Sequence, residues 1–315
     1  DQAHGDRGVS AIIEASGLGR WYGEVVGLGD LTVDIEPGIT GLVGPNGAGK
    51  STFMKLMVGE LRPHRGTIRV LGQVPFGSRP LYKRLGFCPQ QDALYEHQTG
   101  RAFVRDLLRL SGWSRGDAQK RATEAMERVG LADAMDRRVR DYSKGMRQRT
   151  RLAQAIAHEP DLIIADEPLT GLDPIVRHDV LDLFRGLAEK GTSIVLSSHV
   201  LHEVESLTDK IVLVHRGRLL AQGTVKEVRR LLSHHPSRVR VQVREARRLA
   251  NALLSLEHVR AVSIGDNDAS LQIETDDVAA FHQSFASVAA ETRAGVRGLQ
   301  SDDASLEAVF DYLVG

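Results

Sequence analysis

Hydrophobic and polar positions follow two different periods along this 315-residue chain. Short apolar runs of strand length dominate the first part. Ala11–Gly17, Leu31–Glu36 and Ile39–Val43 predict strands, with Pro37-Gly38 turning the chain between the last two. A helix is expected after Gly49, and Thr67–Leu71 and Leu85–Cys88 predict further strands. From about Glu96 to Ala157 the pattern turns helical and Arg-rich, which predicts helices near Arg101–Leu110, Arg115–Val129 and Ser143–Ala157. The two periods then alternate: strand Asp161–Ala165, helix Pro174–Glu189, strand Ser193–Ser197, helix Val200–Ser206, strand Lys210–Val214. That order is an α/β sheet with crossover helices, into which the helical stretch is inserted. Arg218–Leu220 adds one more strand, followed by a turn.

The pattern changes at Ser233–Ser237, a linker by composition. Beyond it come strand Val239–Val243, helix Arg244–Leu254, strands Val259–Ile264 and Ser270–Glu274, helix Asp277–Ala289 and strand Gly295–Leu299. The order βαββαβ is that of the ferredoxin-like split motif. A last helix, Ala304–Leu313, would align Leu306, Val309, Phe310 and Leu313 on one core-facing side, capped by Asp302 or Asp303. The expected organisation is a flexible leader over residues 1–10, an α/β domain over 11–232 with a helical subdomain at about 96–157, and a small α+β domain over 238–315.

Composition narrows the function classes. Hydrophobic residues make up 42 %, enough for an ordinary globular core. Basic and acidic residues balance at 41 each, which argues against a dedicated nucleic-acid binder. The one cysteine, Cys88, rules out a disulfide framework or a Cys-rich metal site and fits a reducing compartment. No apolar run approaches the roughly 20 residues that span a bilayer.

Candidate chemistry concentrates at strand ends. GPNGAGKST, Gly44–Thr52, fits G-x-x-x-x-G-K-[ST] and lies between a strand and a helix, as that motif requires. The residues Gly44, Pro45, Asn46, Gly47, Ala48 and Gly49 would turn backbone N–H groups inward as an anion cradle at a helix N-terminus. Lys50 would reach β- and γ-phosphates, the Ser51 hydroxyl would ligate Mg²⁺, and Thr52 follows directly as a further nucleotide-binding candidate. LIIADEP ends an apolar strand in two carboxylates, at the edge where α/β folds bind ligands. Asp166 suits Mg²⁺, directly or through water, and Glu167 suits a general base on the attacking water. His199 follows a strand expected beside the Asp166 strand, so both point to one rim. Gln90 follows a short strand and can ligate Mg²⁺ or orient water.

In this order the motifs resemble an ATP-binding cassette (ABC) ATPase, over roughly Ile12–Leu232. The likeness adds a signature segment at Tyr142–Met146, a D-loop at Gly171–Pro174 including Asp173, and a switch histidine at His199. It also makes Tyr22 the aromatic that stacks on adenine. The implied fold is a P-loop cassette, a mixed sheet plus helical subdomain, followed by the α+β domain. The implied activity is hydrolysis of ATP with Mg²⁺ between two cassettes. Lys50, Ser51, Gln90, Asp166, Glu167 and His199 would come from one chain, and Ser143 and Gly145, on the partner's γ-phosphate, from the other. The chain is then expected as a homodimer on a separate integral membrane permease, at the cytoplasmic face, without nucleic acid.

YSKGM departs from the family's LSGGQ: Lys144 replaces a glycine and Met146 a glutamine. The Lys144 ammonium either helps bind phosphate or points to solvent. Ser-Lys-Gly-Met is similar to signatures of exporter ATPases with a separate permease. The rival readings are a soluble ABC ATPase acting on ribosomes or nucleic acid, disfavoured by zero net charge and a single cassette, and a nucleotide-binding module without turnover, disfavoured by the intact Lys50, Asp166, Glu167 and His199.

Overall fold

The structure is a computed structural model and describes residues 11–91, 94–199, 201–230, 237–265 and 269–301. The chain forms two compact units, residues 1–224 and 225–315.

In the first unit the elements are β1 (Ile13–Tyr22), β2 (Val25–Ile35), β3 (Ile39–Val43), α1 (Lys50–Met57), β4 (Arg65–Val70), α2 (Arg79–Tyr82) and β5 (Leu85–Cys88). They continue as α3 (Gly100–Leu110), α4 (Arg115–Arg128), α5 (Lys144–Ile156), β6 (Leu162–Ala165), α6 (Pro174–Glu189), β7 (Ser193–Ser198), α7 (Leu201–Glu205), β8 (Lys210–His215) and β9 (Arg218–Thr224). One mixed sheet runs β4-β1-β2-β9-β8-β3-β7-β6-β5. Its β8-β3-β7-β6-β5 half is parallel, and β4, β1 and β2 form an antiparallel wing.

The parallel strands carry apolar runs, such as LIIA in β6 and IVLV in β8, because both faces are covered. In β6, Ile163 and Ala165 enter the core shared with α3–α6, while Leu162 and Ile164 enter the core shared with α1. That is the two-residue strand period, with a hydrophobic layer on each side. The inserted helices begin at side-chain caps: Thr99 Oγ1 accepts from Ala102 N at 3.2 Å, and Ser114 Oγ from Asp117 N at 3.1 Å. Small residues Ala118, Ala122 and Ala125 let α4 approach its neighbours closely.

The β1–β2 hairpin is longer than its sequence pattern predicts: β1 continues past Gly17 to Tyr22 and β2 starts at Val25 rather than Leu31. Pairing shifts between Ala15 and Leu18, where Gly17 sits at φ +57°, so a bulge breaks the alternation without ending the strand. Likewise β9 runs unbroken from Arg218 through Thr224.

The second unit contains α8 (Val225–Arg230), β10 (Ser237–Gln242), α9 (Ala246–Leu253), β11 (Val259–Ile264), β12 (Ser270–Thr275), α10 (Val278–Thr292) and β13 (Gly298–Ser301). The strands pair antiparallel in the order β11-β12-β10-β13, the order that a βαββαβ split motif produces. Val239, Val241, Leu271 and Ile273 from the sheet pack with Leu249, Leu253, Phe281 and Phe285 from the helices. The expected leader, most of the Ser233–Ser237 linker and the expected helix Ala304–Leu313 lie outside the described residues.

Candidate active site

β3 ends at Val43 and α1 begins at Lys50, so residues 44–49 form the loop between them. Gly47 and Gly49 take φ of +80° and +106°, a region that glycine adopts without steric cost. A Cβ at Gly47 would meet nothing within 4 Å, whereas one at Gly49 would lie 2.6 Å from the Gly27 carbonyl oxygen. Gly47 thus leaves open space for a ligand, and Gly49 allows close backbone packing. Lys50 is buried, and its Nζ donates to the carbonyls of Gly44 at 2.5 Å and Pro45 at 3.1 Å. Burial lowers its pKa, partly opposed by the nearby charges of Glu167 and Asp166. A buried ammonium resting on two carbonyls of its own loop is poised for an anion that would satisfy it better.

Both carboxylates follow the end of β6, whose parallel neighbour β7 ends in Ser197 and Ser198. Asp166 and Glu167 are both buried. Ser197 Oγ donates to Asp166 Oδ1 at 2.6 Å and accepts from the Glu167 backbone N–H at 2.8 Å. Glu167 Oε2 accepts from Thr170 Oγ1 at 3.1 Å and pairs with His199 Nδ1 at 2.9 Å. Glu167 itself has φ +51°, a left-handed conformation costing about 1–2 kcal/mol for a residue with a side chain. Cys88 gives its carbonyl to Asp166 N–H at 2.8 Å, and its buried thiol is pushed up to about 12, so it is no nucleophile.

A cavity of about 300 Å³ joins these parts. Tyr22, Val25, Val26 and Gly27 line it together with residues 45–52, Gln90, Asp166 and Glu167. The site thus offers an apolar platform, an anion cradle and a carboxylate rim. The hydroxyl of Ser51, the amide carbonyl of Gln90 and the carboxylate of Asp166 are oxygen donors, the set a hard divalent cation takes.

Ser143, Gly145 and Asp173 do not line this cavity. Ser143 Oγ caps α5 by accepting from Met146 N–H at 3.2 Å, and Asp173 Oδ1 caps α6 by accepting from Val176 N–H at 3.1 Å. The segments that hold them touch. The Lys144 stem lies across Gly171, where an added Cβ would be 2.7 Å from Lys144 Cε, and Gly145 faces Leu172. Lys144 thus packs lengthwise on the D-loop.

A second, larger cavity of about 820 Å³ is a groove lined by Tyr82 of α2, Phe87 of β5, Phe103 of α3, Trp113, and Arg151 and Gln154 of α5, among others.

The ABC transporter family model matches residues 28–170. The daunorubicin/doxorubicin resistance ATP-binding protein DrrA of Streptomyces peucetius is 35% identical over 305 residues, covering 96% of this chain and 92% of that protein. The chain belongs to the ABC transporter ATP-binding family. The bacitracin transport ATP-binding protein BcrA of Enterococcus faecalis is 31% identical to this ABC ATPase over 96% of both chains. A solved ATP-binding subunit of an ABC transporter superimposes with a TM-score of 0.64 at 31% identity, covering 70% of this chain and 93% of its own. A dimeric cassette bound to ADP and Pi, 23% identical with a TM-score of 0.62, shares the fold.

In this ABC ATPase, ATP is the nucleotide and its hydrolysis the activity. Sequence reasoning missed Ser197, Val25, Val26 and Gly27. The signal for Ser197 was a polar residue ending an otherwise apolar strand, SIVLSS, next to a strand ending in Asp166. The valines look like ordinary hairpin residues until they are found exposed and facing the P-loop.

Proposed function

We propose that this ABC ATPase powers an exporter whose permease is a separate polypeptide, and that Glu167 is its general base. The observation that carries the catalytic reading is the pair of contacts on Glu167 Oε2, from Thr170 and His199, at the wall of the cavity that also holds Lys50. Held this way, the carboxylate takes a proton from water as the water oxygen attacks the γ-phosphorus and ADP leaves. Lys50 exchanges its two carbonyl partners for β- and γ-phosphate oxygens, and Tyr22 with Val25 and Val26 carries the adenine. Ser51, Gln90 and Asp166 would hold Mg²⁺, which neutralises phosphate charge when bound. His199 orients Glu167.

Ser143 and Gly145 at the start of α5 would act on the nucleotide of a second copy, as a helix N-terminus suits a phosphate. Asp173 fixes the D-loop beside them. The export direction draws on the relatives named for daunorubicin/doxorubicin resistance and bacitracin transport and on the Ser-Lys-Gly-Met signature. No helix among the described residues is long and apolar enough to cross a membrane, which favours a permease on another chain. The 820 Å³ groove, with its aromatic lining, is the seat we assign to that permease, with the ATPase on the cytoplasmic face. The domain over 238–315 would serve dimer contact or regulation.

The test is a pull-down of tagged Glu167→Gln protein, loaded with ATP and Mg²⁺, from detergent-solubilised membranes of its own organism. A stoichiometric multi-span membrane protein is expected. Ribosomal or nucleic-acid partners without one would overturn the reading in favour of a soluble ATPase.

A further inference from the structure

β5 is the last strand of its sheet, so among the described residues no strand lies beside one side of its backbone. Its inward carbonyls bond toward β6, as Cys88 O does with Asp166 N–H at 2.8 Å. Its outward carbonyls alternate with them, at Leu85 and Phe87. An exposed row of this kind is normally covered. Here side chains cover it: His158 Nε2 donates to Leu85 O at 3.1 Å, and Gln154 Nε2 donates to Phe87 O. The row continues past the strand, where Arg151 Nη1 donates to Gln90 O at 2.7 Å. Arg151 and Gln154 lie three residues apart on α5, and His158 lies just past its C-terminal cap, Ala157, so the end of one helix supplies all three contacts.

Arg151 differs from the other two. Its guanidinium is buried, and among the described residues no carboxylate pairs with it. Burying an unpaired charge is costly, so stability alone does not account for it. Its second nitrogen, Nη2, donates to Gln148 Oε1, and Gln148 Nε2 donates to Pro168 O at 2.9 Å. Pro168 directly follows Glu167 in the chain. One buried pair of side chains thus ties the backbone of Gln90 to the backbone next to Glu167. Both side chains belong to α5, whose first turn carries Ser143 and Gly145. Arg151 and Gln154 also line the groove.

We propose that Arg151 is a positioning residue for the hydrolytic site: through Gln90 O and Gln148 it fixes the Gln90 side chain relative to Glu167, so that Mg²⁺ is held where the general base can act. The proposal rests on the assignment of Gln90 as a Mg²⁺ ligand. A cation site loses affinity or activity, typically about 10–100-fold, when the groups that orient its ligands are removed. Lysine at position 151 would keep the charge and reach one carbonyl but lose the fork that engages Gln148.

The experiment uses the full chain with Arg151→Lys and Gln90→Ala. Turnover is measured against ATP and separately against Mg²⁺, and backbone amide exchange is followed over residues 85–91 without nucleotide. For Arg151→Lys, kcat should fall and the Mg²⁺ concentration for half-maximal turnover should rise, each about tenfold, with KM for ATP changed by less than about threefold. Exchange at Gln90 should quicken. In the Gln90→Ala background, Arg151→Lys should add nothing. If Gln90→Ala raises the magnesium demand and Arg151→Lys does not, the positioning role of Arg151 is wrong while the site reading stands. If Gln90→Ala leaves that demand unchanged, the assignment of Gln90 fails first and takes the proposal with it. Should Arg151→Lys fail to fold, Gln148→Met, which leaves the guanidinium in place without its amide partner, must raise the magnesium demand; wild-type demand there overturns the proposal.

Discussion

Residues 11–224 bury Lys50, Arg151, Asp166 and Glu167, whereas the described residues of the second unit bury only Thr275 and Thr292 as polar side chains. The core of the second unit is otherwise valine, leucine, isoleucine, phenylalanine and alanine. Both solve the same problem of covering a sheet with helices, and the second does it with ordinary materials. The first carries buried charge that an apolar residue of equal size would replace at no loss of stability, and often at a gain. Those charges gather where β5, β6 and β7 end and α1 begins. The difference teaches where chemistry resides: polar groups stay buried where they have a reactant to meet.

The strongest way to break that comparison is Glu167→Gln. Turnover should drop by roughly 10²–10⁴-fold, measured as phosphate release, while fluorescent ATP analogue binding stays near that of wild type. Near-normal turnover would mean that the buried carboxylate is structural. Ser197→Ala comes next, because it removes the hydroxyl shared by Asp166 and the Glu167 backbone; roughly tenfold slower hydrolysis is expected. Calorimetry on the same variant should show a loss of about 1–3 kcal/mol from the unsatisfied N–H and carboxylate. In the second unit Leu271→Ala should cost about 2–5 kcal/mol of that unit's stability yet leave ATP turnover within about twofold. A parallel fall in turnover would erase the division of labour between the units.

The smallest effect concerns His158, whose pKa burial lowers from the ordinary 6.5, against the raising influence of its bond to Leu85 O. The unfolded imidazole then takes up a proton at a pH where the folded one does not. Stability is therefore full above pH 6.5 and declines as pH falls through 6.5 toward the lower folded value. His158→Gln keeps a donor for Leu85 and should flatten this part of the melting-temperature profile. An unchanged slope would assign the acid sensitivity to other groups.

What the sequence made legible follows from distance along the chain. The P-loop, the Asp166-Glu167 pair and the helix caps are contiguous, so residue type and spacing carry their meaning. The alternation in residues 161–214 revealed the parallel half of the sheet because each strand there has a short apolar run and is set off from the next by a helix of different period. The hairpin was misjudged because the bulge at Gly17 shifts the pairing without ending the strand. Ser197 and Arg151 were invisible for another reason: their partners, Asp166 and Gln90, lie 31 and 61 residues away. Only the β6–β7 pairing and the docking of α5 on the sheet edge bring them together.

The left-handed backbone of Glu167 has a consequence for how this position can change over generations. Glycine would relax the peptide there by about 1 kcal/mol and also remove a carboxylate from a buried place. Selection for abundance alone would therefore push residue 167 toward glycine, and only selection for work done per ATP would hold glutamate. A lineage in which the cassette has become a passive scaffold should lose this residue early, with its fold intact or improved.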